Sequence, residues 1–224
     1  MPSLRPELPP YAELQCVSNF TFLHGASHAE ELVERAAKLG YAALAITDEC
    51  SLAGVVRAHV EAKKHELHLI IGSRFVLVNE DGSPAFSLVL LAKNREGYGN
   101  LSELITLARM RAVKGFYRLM PSDFTSPEPE YAHLRGMPDC LALLTPDYCI
   151  DADTLRIQAK WLASAFPGRA WLALTLLHRT RDEQHRAVIE EVAASCALPV
   201  TATGDVCMHV RSRKPLQDTL TAIR

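Results

Sequence analysis

Residues 41–75 read YAALAITDECSLAGVVRAHVEAKKHELHLIIGSRF, and the change of apolar spacing inside this stretch decides the fold. Ala42–Thr47 is a continuous apolar run of strand length, as expected for a strand covered on both faces. Leu52–Lys64 then spaces Val55, Val56, His59 and Val60 as one face of a helix, which makes His59 a core or boundary histidine. Leu67–Ile71 is a second buried strand. Strand, helix and strand in quick succession predict a βα repeat and a parallel pair.

The same alternation extends outward. Upstream, Glu13–Ser18 is a short strand. Ser27 with Glu30 reads as a capping box for a helix carrying Leu32, Val33, Ala36 and Leu39 and closed by Gly40. Downstream, Arg74–Asn79 and Phe86–Ala92 flank Asp81-Gly82 as a hairpin. Asn100 and Glu103 mark the start of a helix over Leu101–Met110. The proline-rich stretch Pro121–Pro138 reads as a long loop. Cys140–Leu144, Trp171–Leu176 and Val200–Thr203 read as strands, Thr154–Ala165 and Asp182–Cys196 as helices, and Pro215–Arg224 as the opening of another helix. This is an α/β chain with a parallel sheet, open or closed into a barrel. In such folds function gathers at the C-terminal ends of the strands. The segments to watch are Asn19–His28, Asp48–Leu52, Ser73–Phe75, Thr145–Asp151 and Gly204–His209.

Composition narrows the function. The 224 residues are 48% hydrophobic and 22% charged, with a net charge of −2. That mix supports a sizeable core, and the near-neutral balance argues against a domain whose main work is gripping nucleic-acid phosphates. No apolar run reaches the roughly 18 residues of a spanning helix, and the proline-rich start has no signal-peptide core. Together these point to a cytoplasmic chain with no membrane partner. Cys16, Cys50, Cys140, Cys149, Cys196 and Cys207 form no CxxC pair, which suits reduced, mostly buried thiols.

Several segments taken together resemble the PHP (polymerase-and-histidinol-phosphatase) domain of bacterial error-prone C-family DNA polymerases. The first motif is Glu13 to Ser27, with Gln15-Cys16-Val17 at its centre. The second is Leu44-Ala45-Ile46-Thr47-Asp48-Glu49, and the third Ile70-Ile71-Gly72-Ser73-Arg74-Phe75. Leu90-Leu91-Ala92-Lys93-Asn94 followed by Gly97-Tyr98-Gly99-Asn100-Leu101 resembles a polymerase III alpha-subunit signature. Thr201-Ala202-Thr203-Gly204-Asp205-Val206 resembles the last PHP motif, and His209 to Asp218 resembles the error-prone branch. The resemblance implies a distorted (β/α) barrel of the PHP type over residues 11–214, after a tail at 1–10. It makes residues 215–224 the start of a helix leading into a polymerase core. It also implies a parent chain that carries out DNA-templated nucleotidyl transfer with Mg during damage-induced, translesion synthesis. Implied partners are that core, DNA through the parent chain, and mutasome proteins or a sliding clamp.

A PHP phosphoesterase holds divalent metals with converging histidines and carboxylates, which lower the pKa of a bound water and polarise phosphate. Here the matching positions depart from that chemistry. Gln15 and Val17 stand for His-x-His, Glu49 for a histidine, Arg74 for a glutamate, Ser87 for a further histidine and Cys207 for the last histidine, while Asp205 is kept. A guanidinium is always charged, and one positive charge about 4 Å from a divalent ion costs ~8 kcal/mol at an effective dielectric near 20. No cofactor is therefore expected in this domain, although His24, Glu49, Asp205, Cys207 and His209 are the residues from which a reduced site could be built. Arg74 is expected to act as the cation of the cleft, paired with Asp48, Glu49 and Asp205, with Glu13 nearby. The functional expectation is a non-catalytic structural or interaction module, the alternative being an active metal-dependent exonuclease or pyrophosphatase. Two basic clusters, Arg109, Arg111, Lys114 and Arg118, then Arg211, Arg213 and Lys214, are candidates for an interface or for DNA backbone. His65, His68 and His133 read as surface residues.

Overall fold

The protein is described by a computed structural model over residues 9–224; most of the tail expected at 1–10 lies outside the described residues. Seven strands form one sheet in sequence order: β1 (Ala12–Glu13), β2 (Ala43–Ile46), β3 (His68–Val78), β4 (Pro84–Ala92), β5 (Cys140–Thr145), β6 (Ala170–Leu174) and β7 (Val200–Ala202). The helices are α1 (Ala29–Lys38), α2 (Val55–Lys64), α3 (Arg95–Met110), the one-turn α4 (Ser122–Thr125), α5 (Ala152–Ala165), α6 (Asp182–Ser195) and α7 (Lys214–Ile223). The sheet curls until its ends meet. Val17 N–H donates to Val206 O and Val206 N–H to Gln15 O, both at 2.9 Å, so the segment after β1 pairs in parallel with the segment after β7. The result is a nearly closed barrel.

The parallel sheet is interrupted by the expected hairpin, and the antiparallel pairing extends one strand further, to β5. β4 runs antiparallel to both β3 and β5, and the remaining neighbours are parallel. The cause is the hairpin: a tight turn reverses the chain, with Gly82 at φ +85° and Asn79 N–H donating to Ser83 O at 2.9 Å. β3 runs unbroken through Ser73–Phe75, so that Leu67–Ile71 and Arg74–Asn79 belong to one strand.

Alternation sorts the side chains into layers. One set of positions, including Ala45, Val89, Leu91 and Leu143, packs inside the barrel with Leu14, Ile70, Leu141 and Trp171. The opposite set on β3–β6, including Phe75, Leu77, Leu88, Leu90, Ala142 and Leu172, packs outward against α3, α5 and α6. α1 and α2 cover the β1–β2 side through Leu32, Val33, Ala58 and Ala62.

Four local expectations are revised. α1 is capped at His28, whose backbone N–H donates to Glu31 Oε2 at 2.8 Å, one residue later than the Ser27–Glu30 reading. Ser27 turns away to bond His209. α2 begins at Val55 and buries Val55, Ala58 and Ala62. Val56 and Val60 are 71% and 52% exposed, and His59 faces solvent with them. The small residues decide the face, because alanines let α1 and α2 pack close. α3 starts at Arg95, capped by Asn94 accepting from Gly97 N–H at 3.0 Å, not at Leu101. Gly97 is required there: a Cβ would stand 2.1 Å from Asp139 O. The Pro121–Pro138 stretch contains α4 and a 3₁₀ segment, Pro129–Leu134.

Candidate functional site

The inward-facing rows change character along the barrel axis. At one end they are Leu14, Ile70, Leu91, Leu141, Leu143 and Trp171. At the other they are Gln15, Arg74, Ser87, Thr145, Thr175 and Asp205. The polar end is the C-terminal end of the parallel strands, where the segments singled out from the sequence converge. Left-handed backbone marks five mouth loops: Leu23 (φ +60°), Cys50 (+45°), Cys149 (+62°), His178 (+57°) and Asp205 (+47°). Such conformations cost energy and persist where the surroundings fix them.

Four acids at or beside the mouth, Asp48, Glu13, Glu49 and Asp205, are each answered by neutral donors. Asp48 is buried and accepts from Ser18 N–H at 2.8 Å, Ser18 Oγ–H at 2.7 Å and Thr21 Oγ1–H at 2.7 Å. Burial pushes its carboxyl above the usual range, against the pull of those donors. Glu13 accepts from Gln15 N–H at 2.9 Å, Gly204 N–H at 3.0 Å and Tyr11 O–H at 2.9 Å, and burial raises it too. Glu49 accepts from Tyr117 O–H at 2.8 Å, while the same hydroxyl oxygen accepts from Val76 N–H at 2.8 Å. Asp205 accepts from Gln15 Nε2–H at 2.7 Å.

This arrangement corrects the expected arginine-centred network. Arg74 points into the mouth, with its side chain 19% exposed, and its nearest carboxylate is Asp205, Nη1 to Oδ1 at 3.9 Å. That is an ion pair beyond hydrogen-bond reach. Asp48, Glu49 and Glu13 are held by other partners. Arg74 is tied down by its backbone, donating N–H to Asp48 O at 3.2 Å and accepting from Cys50 N–H at 2.9 Å.

The metal positions can be tested by their chemistry. Val17 is buried and offers no ligand atom. Gln15 holds Asp205, and Arg74 brings a fixed positive charge to the same mouth. Burial, then the Asp205 charge, push the Cys207 thiol up, away from the thiolate a metal needs. His24 Nδ1 accepts from Arg224 Nη1 at 3.1 Å, and burial and Arg74 lower its pKa. His209 Nδ1 lies 2.8 Å from Ser27 Oγ. Among the described residues no group of three or more His, Cys, Asp or Glu could hold a metal ion. The donor set does not fit a divalent cluster.

Against this geometry the family comparison is direct: the PHP domain family matches residues 13–195. The chain belongs to the PHP domain family. Its relatives include proteins named error-prone DNA polymerase from Bordetella parapertussis, 63% identical over 217 residues, and from Ralstonia pickettii, 59% identical over 219 residues. These alignments take in 97% and 98% of this chain but 21% and 20% of the relatives, so the chain spans about a fifth of their length. Two solved structures share the fold at 14% identity. One is a putative metal-dependent phosphoesterase from Bifidobacterium adolescentis (TM-score 0.58, 91% of this chain and 89% of that one). The other is an amidohydrolase from Chromobacterium violaceum with bound sulfate and no metal (TM-score 0.61, 88% and 87%).

Sequence reasoning located the PHP mouth and missed part of its wall. Tyr117, Thr175, Arg179 and His185 line or close it, and none lies in a motif; Tyr148 lies in the segment Thr145–Asp151, and His185 sits in an ordinary-looking helix. The basic clusters are mostly committed within the domain. Arg109 donates to Cys50 O at 2.9 and 3.1 Å, Arg111 to Asp123 at 2.6 Å and Glu128 at 2.9 Å, and Arg118 to Glu80 O at 3.0 Å. Arg213 pairs with Glu31 at 2.6 Å and Lys214 with Asp218. Lys114 and Arg211 are exposed, as are His65, His68 and His133. Among the described residues no helix is long and apolar enough to cross a membrane.

Proposed function

We propose that this PHP domain is a non-catalytic structural module of an error-prone DNA polymerase. One observation carries the reading: Asp48, Glu13, Glu49 and Asp205 are each held by protein donors, while Val17 and Arg74 occupy positions that resemble ligand sites. The relatives' name, error-prone DNA polymerase, supports a parent chain that performs DNA-templated nucleotidyl transfer; our reading adds Mg at that chain's own catalytic centre and a role in translesion synthesis during DNA repair in the cytoplasm. Within that chain the domain, residues 11–214, would brace the polymerase core through the segment at 215–224. DNA would be reached through the core, with mutasome proteins or a sliding clamp as further partners. Exposed Lys114 and Arg211 are the cations best placed for such contacts.

The test is hydrolysis of a generic phosphomonoester and of single-stranded DNA, with Mn or Zn added. The expected result is no turnover above a chelator-treated control, and no change on Asp205→Ala. Chelator-sensitive turnover that Asp205→Ala abolishes would establish the alternative, a metal-dependent phosphoesterase.

A further inference from the structure

The outer face of β3 is covered unevenly. Phe75 and Leu77 are fully buried in the core that includes α3. Leu69 and Ile71, on the same face of the same strand, are only half-buried. The cause is the hairpin. β2 leads into β3 through α2, and β4 leads on into α3, but β3 passes to β4 by a tight turn that supplies no helix. The helical layer therefore has a gap between α2 and α3, an open groove of about 510 Å³. Leu69, Ile71 and Ala92 form its floor, with Val56 and His59 of α2 on one side and Tyr98 of α3 on the other. Val56 and Val60 stand one turn apart with most of their surface in solvent, and Tyr98 is 39% exposed. This is the apolar face that the sequence marks on α2, and the fold leaves it unpartnered.

The rim of the groove is basic. Lys93 and Arg95 line it, and no Asp or Glu does. Lys63 continues the line of Val56 and His59 along α2. These three cations are exposed and make no ion pair among the described residues, whereas Arg57 and Lys64 of the same α2 are taken by Glu30 and Glu61. Arg95 opens α3, so the positive end of that helix adds to the potential. Exposed apolar side chains beside unpaired cations call for a partner that is apolar and acidic together.

We propose that the groove between α2 and α3 receives an amphipathic helix of another protein, apolar on one face and acidic along its flanks, in the place the hairpin leaves without a helix. Val56 to Lys63 spans about 10 Å at the helical rise, and so does His68–Ile71 at the strand rise, which matches about two helical turns. The incoming face would thus carry apolar residues at i, i+3 or i+4, and i+7. A second copy of the chain is a poor fit. Its exposed amphipathic helix, α7, offers one acid, Asp218, which already holds Lys214. The polymerase core is a poor fit as well. The segment assigned to it above ends beside His24 at the mouth, whereas the groove reaches His68, where β3 begins. The groove is independent of the structural role proposed above, and its failure would leave that role standing.

The experiment is fluorescence anisotropy of the chain with a labelled helical peptide of about four turns, carrying leucines at i, i+3, i+4 and i+7 and glutamates on both flanks. One control peptide has lysines for the glutamates, and another has a central proline. The expected result is saturable binding of the acidic helix, with both controls at least tenfold weaker. Val56→Asp, and separately Lys93→Glu with Arg95→Glu, should each weaken it at least tenfold with an unchanged melting curve, and the charge-reversed pair should gain affinity for the lysine peptide. Should Val56→Asp fold poorly, the charge-reversed pair, at exposed positions, must produce the loss instead. Absence of saturable binding, equal affinity for the lysine peptide, or binding indifferent to both variants would overturn the proposal. Equal binding of the proline peptide would overturn it in favour of an extended segment beside β3, where that strand runs past its pairing with β4. Dimerisation of the chain that Val56→Asp abolishes would give the groove to a second copy, and loss of peptide binding in the full-length parent protein would give it to the polymerase core; either result overturns the proposal.

Discussion

On the β1–β3 side of the mouth, Asp48, Glu13 and Glu49 are each enclosed by hydroxyls and backbone N–H groups of the domain itself. Across the mouth, towards β6 and α6, His185 Nδ1 is left open, and Gln15 Oε1 and Arg74 Nε are open between the two sides. The first side carries its charges as structure: each acid is the anchor of a loop and no longer free to ligate. The second keeps buried, unpaired hydrogen-bonding groups on residues beside a cavity. The two sides are thus built differently, and substitutions on them should fail differently: a clear loss of stability on the first, little change on the second.

The largest loss is expected at Asp48. Asp48→Ala removes the acceptor of three hydrogen bonds and strands buried Ser18 and Thr21, which should cost about 3–5 kcal/mol. Urea denaturation measures it, and a loss below about 1 kcal/mol would break the view that these acids are anchors. The same carboxyl predicts a pH signature. Its folded pKa is raised by burial, so between the ordinary carboxyl value of about 4 and the raised folded value the native state holds more protons than the unfolded chain. Its contribution is then fully favourable at low pH and is lost as pH rises through the folded pKa. Asp48→Asn should remove that share, so the stability gap between the two proteins should vary with pH across that window and be flat well above it.

Next comes Gly25→Ala. A Cβ at Gly25 would lie 1.9 Å from Ser18 O, a backbone atom that cannot swing away. The loop holding Ser18 and Thr21 against Asp48 must shift, at about 1–3 kcal/mol. Coupling sharpens the comparison: in the Asp48→Ala background Gly25→Ala should cost less, because the cluster it disturbs is already lost.

These two sites also show what was legible in the sequence. The βα alternation, the hairpin and the mouth loops follow from apolar period and turn chemistry, and the ligand positions follow from motif resemblance. Side-chain partners were not legible. Nothing in residues 113–118 says that Tyr117 will reach Glu49 and Val76, and nothing near Ser18 announces that it serves Asp48, thirty residues away. Helix faces were misread where alanine and valine compete, as on α2, because burial there is set by how closely two helices approach. The antiparallel β4–β5 pair was missed because strand direction follows from the whole chain path.

A smaller loss is expected from Tyr117→Phe. The hydroxyl bridges Val76 N–H and Glu49 at 2.8 Å each. Removing it leaves a backbone donor unpaired in a partly buried setting, at about 1–2 kcal/mol. The ring itself still packs edge-on against Phe75, 6.4 Å between centroids. A stability equal to the parent protein's would mean that water replaces the hydroxyl at no cost and that Glu49 is held by Thr21 through its backbone alone.

The smallest change in stability should come from Arg74→Ala, the position where the sequence suggests the greatest. If the guanidinium bridged several buried acids, its removal would strand them at about 3–5 kcal/mol. Those acids have other donors, and the single ion pair to Asp205 spans 3.9 Å with both partners partly exposed. Its loss should cost on the order of 1 kcal/mol or less, and the buried Nε that now lacks a partner goes with it, which offsets part of that. Thermal melting of Arg74→Ala should therefore lie close to the parent curve. A drop of several kcal/mol would return Arg74 to the centre of an acidic network and erase the difference between the two sides of the mouth.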